Sequence, residues 1–213
     1  MQFSEKLKAG FVMSLFVAFV VATTALAGEV SYSSPVPTDK PFYIYSDQGA
    51  DNNHFTASGY MGDYTNIRGK MGQKVDPYSG ETCMRFVYTP NNVSKDAQWA
   101  GVMWQNPEGN WGSKDGGYDL SKAKRLTFWA RGKNGGEVID KFQVGGIDAG
   151  IYPDSDSESI GPVQLTADWK KYTIELEDAV LDYVSGGFSW ATSAKRNPNG
   201  VTLYLDEVRY EFE

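Results

Sequence analysis

From Phe42 to the end of the chain, short aromatic and β-branched runs alternate with clusters of Gly, Asn, Asp and Pro. The runs are Phe42–Ser46, Phe55–Gly59, Thr82–Thr89, Trp99–Gln105, Arg125–Arg131, Val138–Val144, Lys170–Leu176, Gly187–Thr192 and Val201–Glu211. Gly-Gly, Asn-Pro, Asp-Pro and Asn-Gly pairs separate them, which is turn chemistry between strands. Helical spacing is weak throughout; only Glu175–Val184 shows a trace of it. Such a chain has few choices beyond an all-β sandwich or barrel, and residues 41–213 suit one domain of that kind.

Several of these runs are apolar on both sides. In Leu126–Arg131 one face carries Leu126, Phe128 and Ala130, and the other carries Thr127, Trp129 and Arg131. A sandwich buries one face of each sheet and wets the other. Aromatics on the second face therefore imply either a covering loop or a binding face. An eight-stranded outer-membrane barrel fits less well. It needs strands of ~10 residues, apolar outside and polar inside, whereas Trp99–Trp104 is apolar almost throughout.

Residues 1–27 have the form of an export leader. Lys6 and Lys8 precede an apolar run from Ala9 to Ala22, and Ala25-Leu26-Ala27 supplies a cleavage pattern before Gly28. The apolar run is shorter than the ~20 residues a spanning helix needs, so a mature chain with no membrane span, secreted or periplasmic, is expected. Residues 28–40 read as an extended lead-in with Pro35 and Pro37. The charge balance, 27 acidic against 20 basic residues for a net −7, argues against a nucleic-acid partner. One Cys (Cys83) and one His (His54) exclude an internal disulfide, a thiolate zinc centre and any multi-imidazole site.

The segment Trp99–Gly117 (WAGVMWQNPEGNWGSKDGG) carries three Trp among Asn, Gln, Gly and Asp. Flat indole faces suit the C–H patches of sugars, and amide and charged side chains suit their hydroxyls. Trp99 and Trp104 read as strand residues for core or sheet cover. Trp111 lies in a turn-rich loop, where it either pins the loop or meets a ligand. The stretch Gly150–Gly161, with Asp154, Asp156 and Glu158, reads as a solvated acidic loop or a second cation site. Catalytic patterns are weak. No Gly-x-Ser-x-Gly elbow is present, while acids are plentiful enough to offer carboxylate pairs for glycan hydrolysis, such as Glu137 with Asp140 or Glu175 with Glu177.

The elements Tyr118-Asp119-Leu120-Ser121, Leu126–Gly132 (LTFWARG), Leu165–Tyr172 (LTADWKKY), Gly187-Phe188 and Leu203–Val208 (LYLDEV) follow one another in an order that resembles carbohydrate-binding modules of the galactose-binding-like jelly-roll superfamily. Ala57–Asp63 resembles exported bacterial-type proteins carrying the same domain. The resemblance implies a jelly-roll β-sandwich of two antiparallel sheets. It also implies a structural Ca2+ held by an acid after the first strand and one in the last; Asp47, with Asp51 as alternative, and Asp206 match those places. The implied activity is non-catalytic binding of a polysaccharide or oligosaccharide. A structural or adhesion protein of the envelope or matrix is the alternative, and a glycan-active hydrolase or lyase the third reading. The expected ligand face gathers Gln105, Asn106, Trp111, Arg131, Gln143, Tyr152 and Trp190.

Overall fold

The computed structural model describes residues 34–90 and 97–213, with side chains from Val36 onward; the expected leader over residues 1–27 lies outside them. The strands are β1 (Ser34–Pro35), β2 (Phe42–Tyr45), β3 (Thr56–Gly62), β4 (Ile67–Gln73), β5 (Cys83–Tyr88), β6 (Trp99–Gln105), β7 (Tyr118–Asp119), β8 (Arg125–Gly132), β9 (Val138–Ile139), β10 (Lys141–Gly145), β11 (Ser157–Ile160), β12 (Val163–Gln164), β13 (Lys170–Glu175), β14 (Gly186–Ser193) and β15 (Val201–Glu211). Among the described residues there is no α-helix, and none of them forms a helix long and apolar enough to cross a membrane.

Two sheets carry the fold. Sheet I has the order β13-β8-β15-β5-β4, with β2 also paired to β15. Sheet II has the order β11-β10-β14-β6-β3. Every pairing inside these two sheets is antiparallel. The chain crosses repeatedly from one sheet to the other, so sequence neighbours such as β5 and β6 lie in different layers. This is the expected all-β jelly-roll sandwich.

Period-two patterning decides what lies between the layers. Leu126, Phe128 and Ala130 of β8, Phe86 of β5 and Leu203 and Leu205 of β15 point inward from sheet I, all nearly or fully buried. Trp104 of β6 and Phe188 and Trp190 of β14 meet them from sheet II. Their rings interlock, with centroids 5.6 Å apart for Phe86–Trp104, 5.4 Å for Phe86–Trp190 and 5.1 Å for Phe128–Phe188. Each such side chain contributes roughly 1.5–3 kcal/mol on burial. That interlayer packing, rather than any disulfide, holds the sandwich: the single Cys83 is a buried free thiol.

Three departures from the sequence reading have physical causes. Ile67–Gln73 forms β4, an edge strand obscured in sequence by Gly69 and Gly72. The acidic stretch contributes β11, whose Ser157 and Ser159 alternate with Glu158 and Ile160 at strand period. The helical trace at Glu175–Val184 is turn and bend after β13.

Candidate functional site

The outer faces of the two sheets are covered by different segments and to different extents. On sheet I, outer residues Trp129, Arg131 and Tyr204 are roofed by the connection 74–82 between β4 and β5. Tyr78 stacks on Trp129 with centroids 3.7 Å apart and planes 15° from parallel. Arg131 lies over the Tyr204 ring at 3.9 Å and pairs with Asp76 at 3.1 Å, leaving it 9% exposed. Trp169 closes the edge, donating its Nε1 to Asp76 O at 3.2 Å. Of the two readings of apolar second faces, cover is the answer here, and Arg131 is corrected from ligand residue to the fixed cation beneath this strap.

Asp47 and Asp206 hold the strap down. Asp206 is fully buried in β15; its Oδ2 accepts from Tyr78 N (2.9 Å) and Ser79 N (3.2 Å), and its Oδ1 from Glu207 N (2.8 Å). Burial pushes its pKa up to about 7, against the downward pull of those three amides. Asp47 Oδ1 accepts from Thr82 N (2.7 Å), Thr82 Oγ1 (2.8 Å) and Glu81 N (3.1 Å). Gly80 runs at φ +61° beside the Asp47 carboxylate, where a Cβ would collide. A Ca2+ site needs oxygen acceptors turned toward a common point. These carboxylates instead face hydrogen-bond donors, and no cluster of three or more His, Cys, Asp or Glu poised for a metal occurs among the described residues. The pair does not fit the Ca2+ role; both side chains are spent on backbone amides and the Thr82 hydroxyl.

The outer face of sheet II is open only in part: Ser159 and Lys141 are exposed and Gln143, Ala191 and Met61 half-buried, whereas Ser189 (5%), Met103 (4%), Gly59 and Gly101 are buried. Register aligns one row across its five strands: Ser159 (β11), Gln143 (β10), Ser189 (β14), Met103 (β6) and Gly59 (β3). The next row is Lys141, Ala191, Gly101 and Met61. Five strands at ~4.8 Å spacing make a row roughly 19 Å long. Its β10–β11 end offers hydroxyl and amide groups, and its β3–β6 end is apolar. Trp111, from the connection between β6 and β7, lies over that apolar end. A Cβ on Gly59 would come within 3.0 Å of Trp111 Cζ2, so the bare glycine is the ring's seat. The indole remains 43% exposed. Trp99 flanks the face at the start of β6, 40% exposed, about 13 Å along the strand from Met103.

Of the expected ligand residues, Trp111 and Gln143 stand on this face. Tyr152 is half-buried on the adjoining loop, whose backbone it ties to the Trp111 loop through Tyr152 N to Gly112 O at 2.9 Å. That loop is anchored by Asp154, which accepts from Ile147 N, Ser185 N and Gly186 N. Burial raises the Asp154 pKa while those bonds lower it. Asp156 accepts from Ser157 N and Val180 N, so both acids fasten backbone rather than line a cation site.

Three further expectations are corrected. Trp190 is fully buried between the sheets. Gln105 is also fully buried, spent on Asn110 O and Ser58 Oγ. Asn106 is turned inward, bonded to His54 O, the Tyr118 hydroxyl and Gly117 N. Trp99 was missed, although strand parity could have found it: residues 99 and 104 lie on opposite faces of β6, so only one can be core. Three of the four candidate acids make structural bonds, while Glu175 and Glu177 line one surface hollow with Glu158 and Asp178. Glu137 receives Lys133 N and Asn134 N, Asp140 pairs with Arg196, and Glu177 with Lys124.

Comparison with solved structures decides the architecture. The family 30 carbohydrate-binding module of a cellulosomal cellulase of Clostridium thermocellum aligns over 82% of this chain and 98% of its own, at 15% identity and TM-score 0.55. The fold is that of the carbohydrate-binding modules. Another family 30 module aligns over 82% of this chain and 99% of its own, at 16% identity and TM-score 0.54. No protein-family model matches the sequence, and no curated protein matches it. At these identities the likeness to carbohydrate-binding modules fixes the jelly roll and leaves the role to be argued from the outer face of sheet II.

Proposed function

We propose that the protein binds carbohydrate without transforming it, on the outer face of sheet II, and that it works outside the cytoplasm, secreted or periplasmic. The observation that carries the reading is the division of the Ser159-to-Gly59 row. Hydroxyl and amide groups stand at one end and an exposed, seated indole at the other. A pyranose chain has the same double character: apolar C–H faces and a rim of hydroxyls. Ala191 keeps the neighbouring row low beside Lys141, while Met61 covers Gly101. The leader-like residues 1–27 support export, and the family 30 modules of the same fold are named for carbohydrate binding.

The test is affinity electrophoresis of the chain lacking residues 1–27 through gels containing hydroxyethylcellulose, glucomannan, xylan or pectin. At least one polysaccharide is expected to retard it. Trp111→Ala should weaken that binding tenfold or more, since a stacked ring is worth about 1–3 kcal/mol by analogy with other flat ligands. Free migration of the parent in every gel, or equal retardation of parent and Trp111→Ala, would overturn the proposal.

A further inference from the structure

We propose that Ser58, Gln105 and Asn110 form a clamp that fixes the Trp111 indole on sheet II before any ligand arrives. The inference rests on the binding reading above and goes beyond it, because none of the three is a ligand contact. Their role is to position the ring that is.

The Trp111 loop, residues 106–117, is rich in Gly and short polar residues, a composition that leaves a backbone many conformations. Asn110 at its centre is nevertheless fully buried. Its Oδ1 accepts from Gly112 N at 3.0 Å and Lys114 N at 3.1 Å, and its Nδ2 donates to Lys114 O at 2.9 Å. These bonds close the chain into a ring around residue 111. The closed loop is then tied to the sheet. Gln105 Nε2 donates to Asn110 O at 2.7 Å, Ser58 Oγ donates to Gln105 Oε1 at 2.8 Å, and Gly109 N donates to Ser58 Oγ at 2.9 Å. The relay therefore runs from β3 through β6 into the loop and back.

Ser58 adjoins Gly59, so the anchor and the seat of the indole are consecutive residues of one strand. Buried amides are costly unless satisfied. Here each amide function of Gln105 and Asn110 is bonded, and every bond bears on the loop or its anchor. A ring already held in its binding pose has less freedom to lose when ligand stacks on it.

The test separates ring placement from ligand binding. Without ligand, acrylamide quenching of Trp111 is obtained by difference between each protein and its Trp111→Phe counterpart. Asn110→Ala and Ser58→Ala should both make Trp111 more quenchable. Asn110→Asp, which keeps the bonds from Gly112 N and Lys114 N but sets a carboxylate oxygen against Lys114 O, should likewise make Trp111 more quenchable than in the parent. In gels of hydroxyethylcellulose, glucomannan and xylan, Asn110→Ala should weaken whichever retardation the parent shows by about tenfold. In the Trp111→Ala background the same change should add nothing, because the two residues act as one unit.

Parent-like quenching in Asn110→Ala and Ser58→Ala would overturn the clamp. So would additive losses in the Asn110→Ala, Trp111→Ala double variant. If Asn110→Ala does not fold, Ser58→Ala and Asn110→Asp decide by the same quenching readout. A parent that no polysaccharide retards defeats the binding reading alone, and quenching still decides the clamp.

Discussion

Replacing Asp206 by Asn should reverse sign in its effect on stability between acid and neutral pH. The Asp206 side chain is fully buried, and burial pushes its pKa to about 7. In the unfolded chain an Asp titrates near 3.9. The folded state therefore holds the proton more tightly across that window, and this group's contribution to stability falls as pH rises from about 4 to about 7. The full swing is on the order of 4 kcal/mol, at 1.36 kcal/mol per unit of pKa difference. Asn carries no such charge cost. Its NH2 group, however, must face one of the three amides that now point at the carboxylate, a loss of ~1–3 kcal/mol at every pH. Asp206→Asn should thus be less stable than the parent at pH 4 and equal or more stable at pH 8. Urea unfolding of both proteins at unit pH steps measures this directly, because all other titrations cancel in the difference. Two stability curves that stay parallel from pH 4 to 8 would refute the reasoning: the strap amides would then outweigh burial and hold Asp206 at an ordinary pKa.

Melting in a chelator and in millimolar Ca2+ should give superimposable curves for the chain lacking residues 1–27, since Asp47 and Asp206 are satisfied by amide and hydroxyl donors; a reversible rise with Ca2+ would refute this. Glu211 behaves oppositely to Asp206: burial raises its pKa, but the bond from Arg125, with help from Thr127, Lys171 and Arg209, brings it down to about 2. Its stabilisation is present above about 4.5 and is lost as pH falls toward 2, so Glu211→Gln should cost ~1–3 kcal/mol at pH 7 and converge on the parent at pH 2 in denaturant titrations. Trp190→Phe should lower the melting temperature through lost packing while leaving polysaccharide retardation as in the parent, whereas a ligand-contacting Trp190 would lose retardation.

Most strands were legible because their aromatic and β-branched runs are bounded by Gly, Asn, Asp and Pro turns; in Leu126–Ala130 and Leu203–Leu205 one face is core, although Trp129 and Tyr204 on the other face blur the alternation. Edge strands escaped for the converse reason. β4 and β11 bury little, so Gly69, Gly72, Ser157 and Ser159 met no pressure to look like strand. The site was legible by residue type and less so by direction. Trp111 and Gln143 stand on the outer face of sheet II, but Gln105 and Asn106 are polar groups spent on backbone. Sequence shows that an amide is present and does not show which unpaired carbonyl or N–H lies within its reach. Arg131 was correctly placed on an outer face, yet nothing local to β8 announced that residues 74–82, far away in sequence, would return to cover it. Trp99 was within reach of a parity argument, since Trp104 could not share its side of β6.

The contrast between the two outer faces has a common physical root. Outer positions in the middle of sheet I carry Trp129, Arg131 and Tyr204, whose bulk would expose a large apolar and cationic surface. The strap resolves that by stacking Tyr78 on Trp129 and pairing Asp76 with Arg131, at the cost of burying Asp206 to hold its amides. Outer positions in the middle of sheet II are small: Ser189 and Gly101 are buried and Ala191 half-buried. The large aromatic reaches this face from a loop, leaving much of the Trp111 indole open to solvent. A side chain at the Gly59 position would leave that ring no seat. A loop-borne Trp resting on a bare glycine supplies the surface. Function on this sandwich therefore depends on which outer positions are small, and on how firmly the loops beside them are tied.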